Sequence, residues 1–283
     1  MIEGDYMNSV KRLYYTLGKK NFFGYCLFGI FLIFFFFPIL HLIMLAFGES
    51  YQYPSFLPQA FSFKWWGFVL SQDDLAGAVM LSFLLAIITT VLSIIICIPA
   101  AYAFARYDFP LRRVFLFSFL ISNAFPKIGL YIMIGVVFFK LKLMGTMLGV
   151  ILVHIVNTLM FMTWIPAGAF KSIHKQQEEA ARDVGATPWQ TFRHITLPLA
   201  LPGIITASIF TFLASMEEAQ GTLLIGMPDI KTIPVAMYSI IIDYPATAGA
   251  VLACILIIPT VILLFILRRF LGADALSSGF NMK

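Results

Sequence analysis

Charge is scarce in this 283-residue sequence, and so are the residue patterns that usually carry chemistry. Only 12% of residues are Asp, Glu, Lys or Arg, against 60% hydrophobic, with a mean hydropathy of +0.91. No soluble domain needs that much apolar surface, which excludes the soluble classes. Ten-residue segments of alternating hydrophobicity are missing, which excludes a membrane β-barrel. No Gly-x-x-x-x-Gly-Lys-[Ser/Thr] run occurs, so the chain has no P-loop to cradle ATP phosphates. His-Glu-x-x-His and Gly-x-Ser-x-Gly are equally missing, and His41, His154, His174 and His194 lack metal-ligand spacing. The three cysteines (Cys26, Cys97, Cys254) lie in apolar runs without a Cys-x-x-Cys pair and read as buried packing residues. A formal charge of +5 would suit nucleic acid. The basic residues instead cluster beside apolar runs, as membrane topology demands.

What is present is a set of long apolar segments. Six are long enough to cross a bilayer at about 20 residues each. They are expected near 22–47, 77–105, 113–139, 146–168, 200–225 and 246–269, within a membrane region of 22–269 flanked by segments 1–21 and 270–283. The first follows Lys11, Arg12, Lys19 and Lys20, but its run far exceeds a signal core and reads as an uncleaved span. Pro126 and Lys127 interrupt the third, which neighbouring helices can tolerate. Fourteen of the nineteen Lys and Arg residues fall in 1–21, 106–113, 169–199 and the C-terminal end from Arg268. That bias puts both termini and the 169–199 loop in the cytoplasm. The expected class is therefore an all-α polytopic membrane protein. The external loop from Gly48 to Ala76 is aromatic, with Trp65 and Trp66 among eight rings, and fits either an interfacial anchor or a lid facing a partner protein.

One polar stretch interrupts this pattern: Glu178-Glu179-Ala180-Ala181-Arg182-Asp183-Val184-Gly185-Ala186-Thr187-Pro188-Trp189, continuing to Ile195-Thr196-Leu197-Pro198. Charges at bilayer depth cost several kcal/mol, so it lies outside the lipid. Gln176 to Val184 favours a helix, Gly185 supplies a stop at φ > 0, and Thr187 with Pro188 starts a second helix. Leu197-Pro198 and Leu201-Pro202 are expected to break that helix before the fifth span. Ala180, Ala181 and Val184 offer a small-residue face, and Glu178, Glu179, Arg182 and Asp183 are expected to be free for salt bridges.

The spacing Glu-Ala-Ala, three residues, Gly, nine residues, Ile-x-Leu-Pro resembles the EAA signature of the permease subunits of bacterial ABC importers. That resemblance implies six transmembrane helices, with a coupling helix between spans four and five that docks on a separate ATPase. Glu178, Glu179, Ala180, Ala181, Arg182, Asp183, Gly185, Ala186 and Thr187 would then be the ATPase-coupling residues. It also implies two nucleotide-binding ATPase subunits carrying ATP and Mg, a second permease, and an external solute-binding protein. This chain would bind no cofactor and catalyse no reaction itself.

Phe63 to Trp66, Ala100 to Arg106 with Phe109-Pro110, Phe125-Pro126, Gly185 to Gln190 and the closing Leu276 to Lys283 look like the maltose-type sugar permeases. Ser215-Met216-Glu217-Glu218 departs from a Trp-Asn-Glu often found in sugar permeases. Gly221 to Leu224 and Thr232 to Val235 also look like permeases for polyamines or aminophosphonates. The resemblance implies a sugar or sugar-like cargo, with those two classes as alternatives.

Ionisable groups inside spans are functional candidates. Lys127, His154, Glu217 and Glu218, with Asn157 one turn from His154, are such groups. At 1.5 Å rise per residue, Lys127 lies roughly 21 Å up from Arg113, Glu217 roughly 24 Å up from Leu201, and His154 about 18 Å up in a ~30 Å core. They share a level. Either Lys127 pairs with a glutamate to hold helices in register, or the group lines a solute pathway. A stand-alone secondary transporter would show inverted repeats, and none is evident. A structural scaffold would not need charges inside spans three and five.

Overall fold

The computed structural model describes residues 19–270. Lys11, Arg12 and the closing Leu276 to Lys283 lie outside the described residues, as do the side chains of Arg268 and Arg269. Contacts group the chain into two units: residues up to 67 with 245–254, and residues 68–244 with the chain from 255 onward.

The first unit holds helix α1 (Lys19–Ala46), a run so apolar that no polar face interrupts it. Cys26 is exposed on α1, not buried as the sequence suggested, because nothing in the isolated chain covers this stretch; Cys97 and Cys254 are buried. The aromatic loop after α1 is folded. Strands β1 (Gly48–Ser50) and β2 (Ala60–Phe61) pair antiparallel, with Gly48 opposite Phe61 and Ser50 opposite Ala60. Trp65 Nε1 donates to the Glu49 carbonyl (2.9 Å), and His41 Nε2 donates to the Phe56 carbonyl (3.0 Å). Phe47 meets Phe63 edge-on and stacks on Trp66, with centroids 5.4 and 5.5 Å away. Such ring pairs add stability beyond burial. Helix α2 (Lys64–Ser71) follows.

The second unit is built on α3 (Asp73–Arg106), α6 (Met147–Ser172) and α9 (Leu197–Met216), which pack on one another. Cys97, Ile98, Ala101 and Phe104 of α3, Met162 and Phe170 of α6, and Ala200, Ile204 and Ala207 of α9 form one buried cluster. Small residues on α9 let the backbones approach, as helices in lipid must to gain van der Waals contact. Helix α3 has 34 residues and is about 51 Å long at 1.5 Å rise, so it overshoots a ~30 Å core.

Between these come α4 (Arg112–Ala124), α5 (Lys127–Lys140), α7 (Lys175–Asp183), α8 (Pro188–Thr191), α10 (Gln220–Gly226) and α11 (Ile233–Asp243). The last helix is α12 (Ala246–Phe270). Among the described residues five helices are long and apolar enough to cross a membrane: Phe23–Ala46, Asp73–Arg106, Met147–Ser172, Pro188–Met216 and Ala246–Leu263.

Two expectations change here. The segment expected as one span over 113–139 is two helices, α4 and α5. Phe125 is extended (φ −87°, ψ 152°), the conformation forced on a residue before proline, and Pro126 then precedes α5. Conversely, Pro198 and Pro202 do not break the chain before the fifth span. Residues Phe192–Thr196 form a π-turn in which Leu197 N–H bonds back to the Phe192 carbonyl, five residues earlier. This widened turn places Pro198 in the opening turn of α9, where a missing N–H costs little. The rod therefore runs unbroken from Pro188 to Met216. It stops at Met216, earlier than the expected residue 225, and α10 starts only at Gln220.

Candidate functional site

Helix α7 opens the first candidate region. It ends at Val184, where Gly185 takes φ +92° and its N–H bonds to the Arg182 carbonyl, while Ala186 N–H reaches Ala181. That left-handed corner favours glycine because it has no Cβ. The next turn is fixed by a capping box: Thr187 Oγ1 accepts from Gln190 N–H (3.3 Å) and Gln190 Oε1 accepts from Thr187 N–H (2.8 Å). Pro188 occupies the first helical position. Glu179, Ala180, Arg182, Asp183, Val184 and Thr187 are exposed, while Ala181 and Ala186 are half-buried. Val184 and Trp189 present apolar surface at 86% and 66% exposure.

Glu178 behaves differently from its neighbours. The sequence offered it for a salt bridge, and the bridge it makes is buried inside the chain. Its Oε1 accepts from Arg106 Nε (3.0 Å) and Thr196 Oγ1 (2.7 Å), and Arg106 Nη2 lies 2.8 Å from the same oxygen. Arg106 Nη1 donates to the Ile173 carbonyl (3.1 Å) at the end of α6. Sequence reasoning missed Arg106 and Thr196. The available signal was an arginine closing a very long apolar run.

The second region lies where the α4–α5 break meets the α9–α10 break. Glu218 is buried in the gap after α9. Its Oε2 accepts from Tyr131 OH (2.8 Å) and lies 4.0 Å from Lys127 Nζ; its Oε1 accepts from Gly221 N–H (2.8 Å). A carboxylate bonded to a backbone N–H and a phenol, with an ammonium 4.0 Å away, is compensated charge, as burial requires. Gly221 is needed for closeness: a Cβ there would stand 2.2 Å from Val153 Cγ1. Lys127 keeps half its side chain exposed, and Glu217 is exposed and makes no ion pair among the described residues. The geometry thus pairs Lys127 with Glu218 and leaves Glu217 apart.

His154 is fully buried, with Nδ1 2.7 Å from Ser215 Oγ and Nε2 2.8 Å from Thr222 Oγ1. Both ring nitrogens are engaged, so this side chain ties α6 to α9 and α10. Asn157 Nδ2 donates to the Ala214 carbonyl (3.3 Å). Tyr131, Ser215 and Thr222 were missed as partners. Tyr131 lies four residues after Lys127 and so on the same helix face, which was the readable clue.

Comparison with known proteins places this geometry in context. Residues 93–274 match the family described as binding-protein-dependent transport system inner membrane component. The trehalose transport system permease SugB of Mycobacterium tuberculosis is 30% identical over 228 residues, covering 79% of this chain and 83% of that protein. The Salmonella paratyphi A protein named as permease PhnV of a 2-aminoethylphosphonate transport system is 28% identical, covering 85% and 90%. A chain from a bacterial ABC transporter that imports the acidic polysaccharide alginate superposes with TM-score 0.62 at 21% identity, covering 87% of this chain and 94% of that one.

Proposed function

The chain belongs to the family of inner-membrane components of binding-protein-dependent transport systems, and is an ABC importer permease. From that premise we propose that it forms half of a solute pathway with a second permease and takes its energy from two separate ATPase subunits. Solute arrives on an external binding protein. ATP and Mg are held by the ATPase subunits. The membrane domain makes six crossings, counting α4 and α5 together as the third, with both termini and the 169–199 loop in the cytoplasm.

The observation that carries this reading is the coupling segment. Helix α7 presents Glu179, Ala180, Arg182 and Asp183 outward and turns sharply at Gly185, so a groove on an ATPase could receive it without disturbing the core. Val184 and Trp189 add exposed apolar contact of the kind found at the centres of interfaces. Movement of that ATPase would reach α9 directly, because the rod from Pro188 to Met216 is continuous.

The cargo we propose is a sugar or sugar-like polar solute, in line with the trehalose permease relative. The second reading, an aminophosphonate, is favoured by the half-exposed Lys127 ammonium, which a phosphonate anion would engage. A polyamine would instead use the exposed carboxylate of Glu217. The proposed pathway residues are Lys127, held near Glu218, and the exposed Glu217, together with Glu218, His154 and Asn157.

Uptake by proteoliposomes holding the whole complex tests the coupling role. Glu179→Lys is expected to leave the chain inserted and to abolish ATP-driven uptake. Uptake equal to wild type would contradict docking through α7.

A further inference from the structure

The buried contact of Arg106, Glu178 and Thr196 does more than close the fold. It joins three elements at one oxygen, the last turn of α3, the first turn of α7 and the π-turn that feeds α9, and Arg106 adds a fourth by donating to the carbonyl just past α6. Arg106 and Glu178 side chains are only 7% and 8% exposed, so the pair is shielded from water and weakly screened. Among the described residues, no other side chain of α7 makes a hydrogen bond or ion pair; Glu179, Arg182 and Asp183 all point to solvent. Among the described residues, the one side-chain polar tether of α7 to the membrane helices is therefore Glu178.

We infer that Arg106, Glu178 and Thr196 form the transmission joint of this permease. Arg106 and Thr196 are positioning residues that make α7 move as one body with α3 and α9. The inference rests on the proposed docking of α7 to an ATPase. Thrust on α7 along a surface helix of nine residues would otherwise be absorbed by the hinges at Ile173-His174 and at Gly185. With Glu178 gripped by Arg106, the thrust reaches the end of a 34-residue helix in the core. With Thr196 on the same oxygen, it also reaches the base of α9. The guanidinium suits this task because one planar fork donates Nε to the carboxylate and Nη1 to the Ile173 carbonyl. Lysine has one point charge and could not hold both.

The test uses the full transporter in proteoliposomes and reads three quantities: ATPase subunits retained on the permease, ATP hydrolysed, and solute taken up per ATP. Glu178→Gln and Arg106→Lys are expected to retain the ATPase subunits and to hydrolyse ATP. Uptake per ATP should fall about tenfold, within the usual size of coupling between sites. Thr196→Val, which keeps shape and removes one hydrogen bond, should cause a smaller fall of about threefold and serves if the charge variants fail to insert. The double variant Arg106→Gln with Glu178→Gln should recover part of the loss, since two amides can hydrogen-bond without a stranded charge. Unchanged uptake per ATP in Thr196→Val and in whichever charge variants insert would overturn the inference, including when protein yield drops, because that result marks a purely structural contact. If the wild-type chain retains no ATPase at all, the docking proposal itself fails, which is a distinct result.

Discussion

Glu217 and Glu218 are sequence neighbours with opposite surroundings. The α9 helix ends at Met216, so the chain turns between them and sends one carboxylate to the surface and the other inward. Glu218 holds Tyr131, Gly221 N–H and the Lys127 ammonium; Glu217 holds nothing comparable among the described residues. Glu218→Gln is expected to cost about 2 kcal/mol of stability, the scale of hydrogen bonds to a charged group. Glu217→Gln should stay within about 0.5 kcal/mol, as surface changes do. Thermal unfolding of the two variants in detergent separates them, and equal shifts would contradict the placement. Sequence reasoning could name both residues because ionisable groups inside apolar runs are conspicuous. It could not choose between them, since the choice depends on where the helix stops, and no glycine or proline marks that stop. His154 was legible as an intramembrane group for the same reason. Its partners Ser215 and Thr222 were not, because small hydroxyl residues are common in membrane helices.

Helix boundaries show the same division. The corner at Gly185 and the box at Thr187-Pro188-Trp189-Gln190 were readable because each rests on local backbone chemistry. The π-turn at Phe192–Thr196 was not, and so two prolines were expected to stop a helix that continues. Pro126 did act as a break, because Phe125 has no comparable wide turn to absorb it. Two glycine substitutions probe these elements. Gly185→Ala has free space for its Cβ and pays only the left-handed conformation, about 1–2 kcal/mol. Gly221→Ala must push Val153 aside, and overpacking of this kind costs about 1–3 kcal/mol. Gly185→Ala should therefore reduce ATP-driven uptake, with a fall in detergent stability no larger than its conformational strain. Gly221→Ala should lower the unfolding midpoint. The opposite assignment of effects would contradict the roles given to the two turns.

At the scale of the whole molecule, composition announced a helical membrane protein, and the polar stretch from Glu178 announced its family. Both signals are strong because lipid leaves few alternatives for either an apolar run or a charged interruption. The folded loop after α1 was less legible, since the pairing of Gly48 with Phe61 and the Trp65 bond to Glu49 depend on contacts across more than ten residues. Orientation is open to direct test. In a background lacking Cys26, Cys97 and Cys254, Lys171→Cys should react with a membrane-impermeant thiol reagent only in inside-out vesicles, because Lys171 is exposed beside the coupling segment. Labelling of right-side-out cells would reverse the topology. The central claim is that this chain works as one part of an ATP-driven importer. Purification of the tagged chain from its native membrane, with mass spectrometry of what accompanies it, tests that most directly. The account predicts a P-loop ATPase, a second permease and a solute-binding protein in the eluate. A chain that emerges alone, or only with further copies of itself, would contradict it.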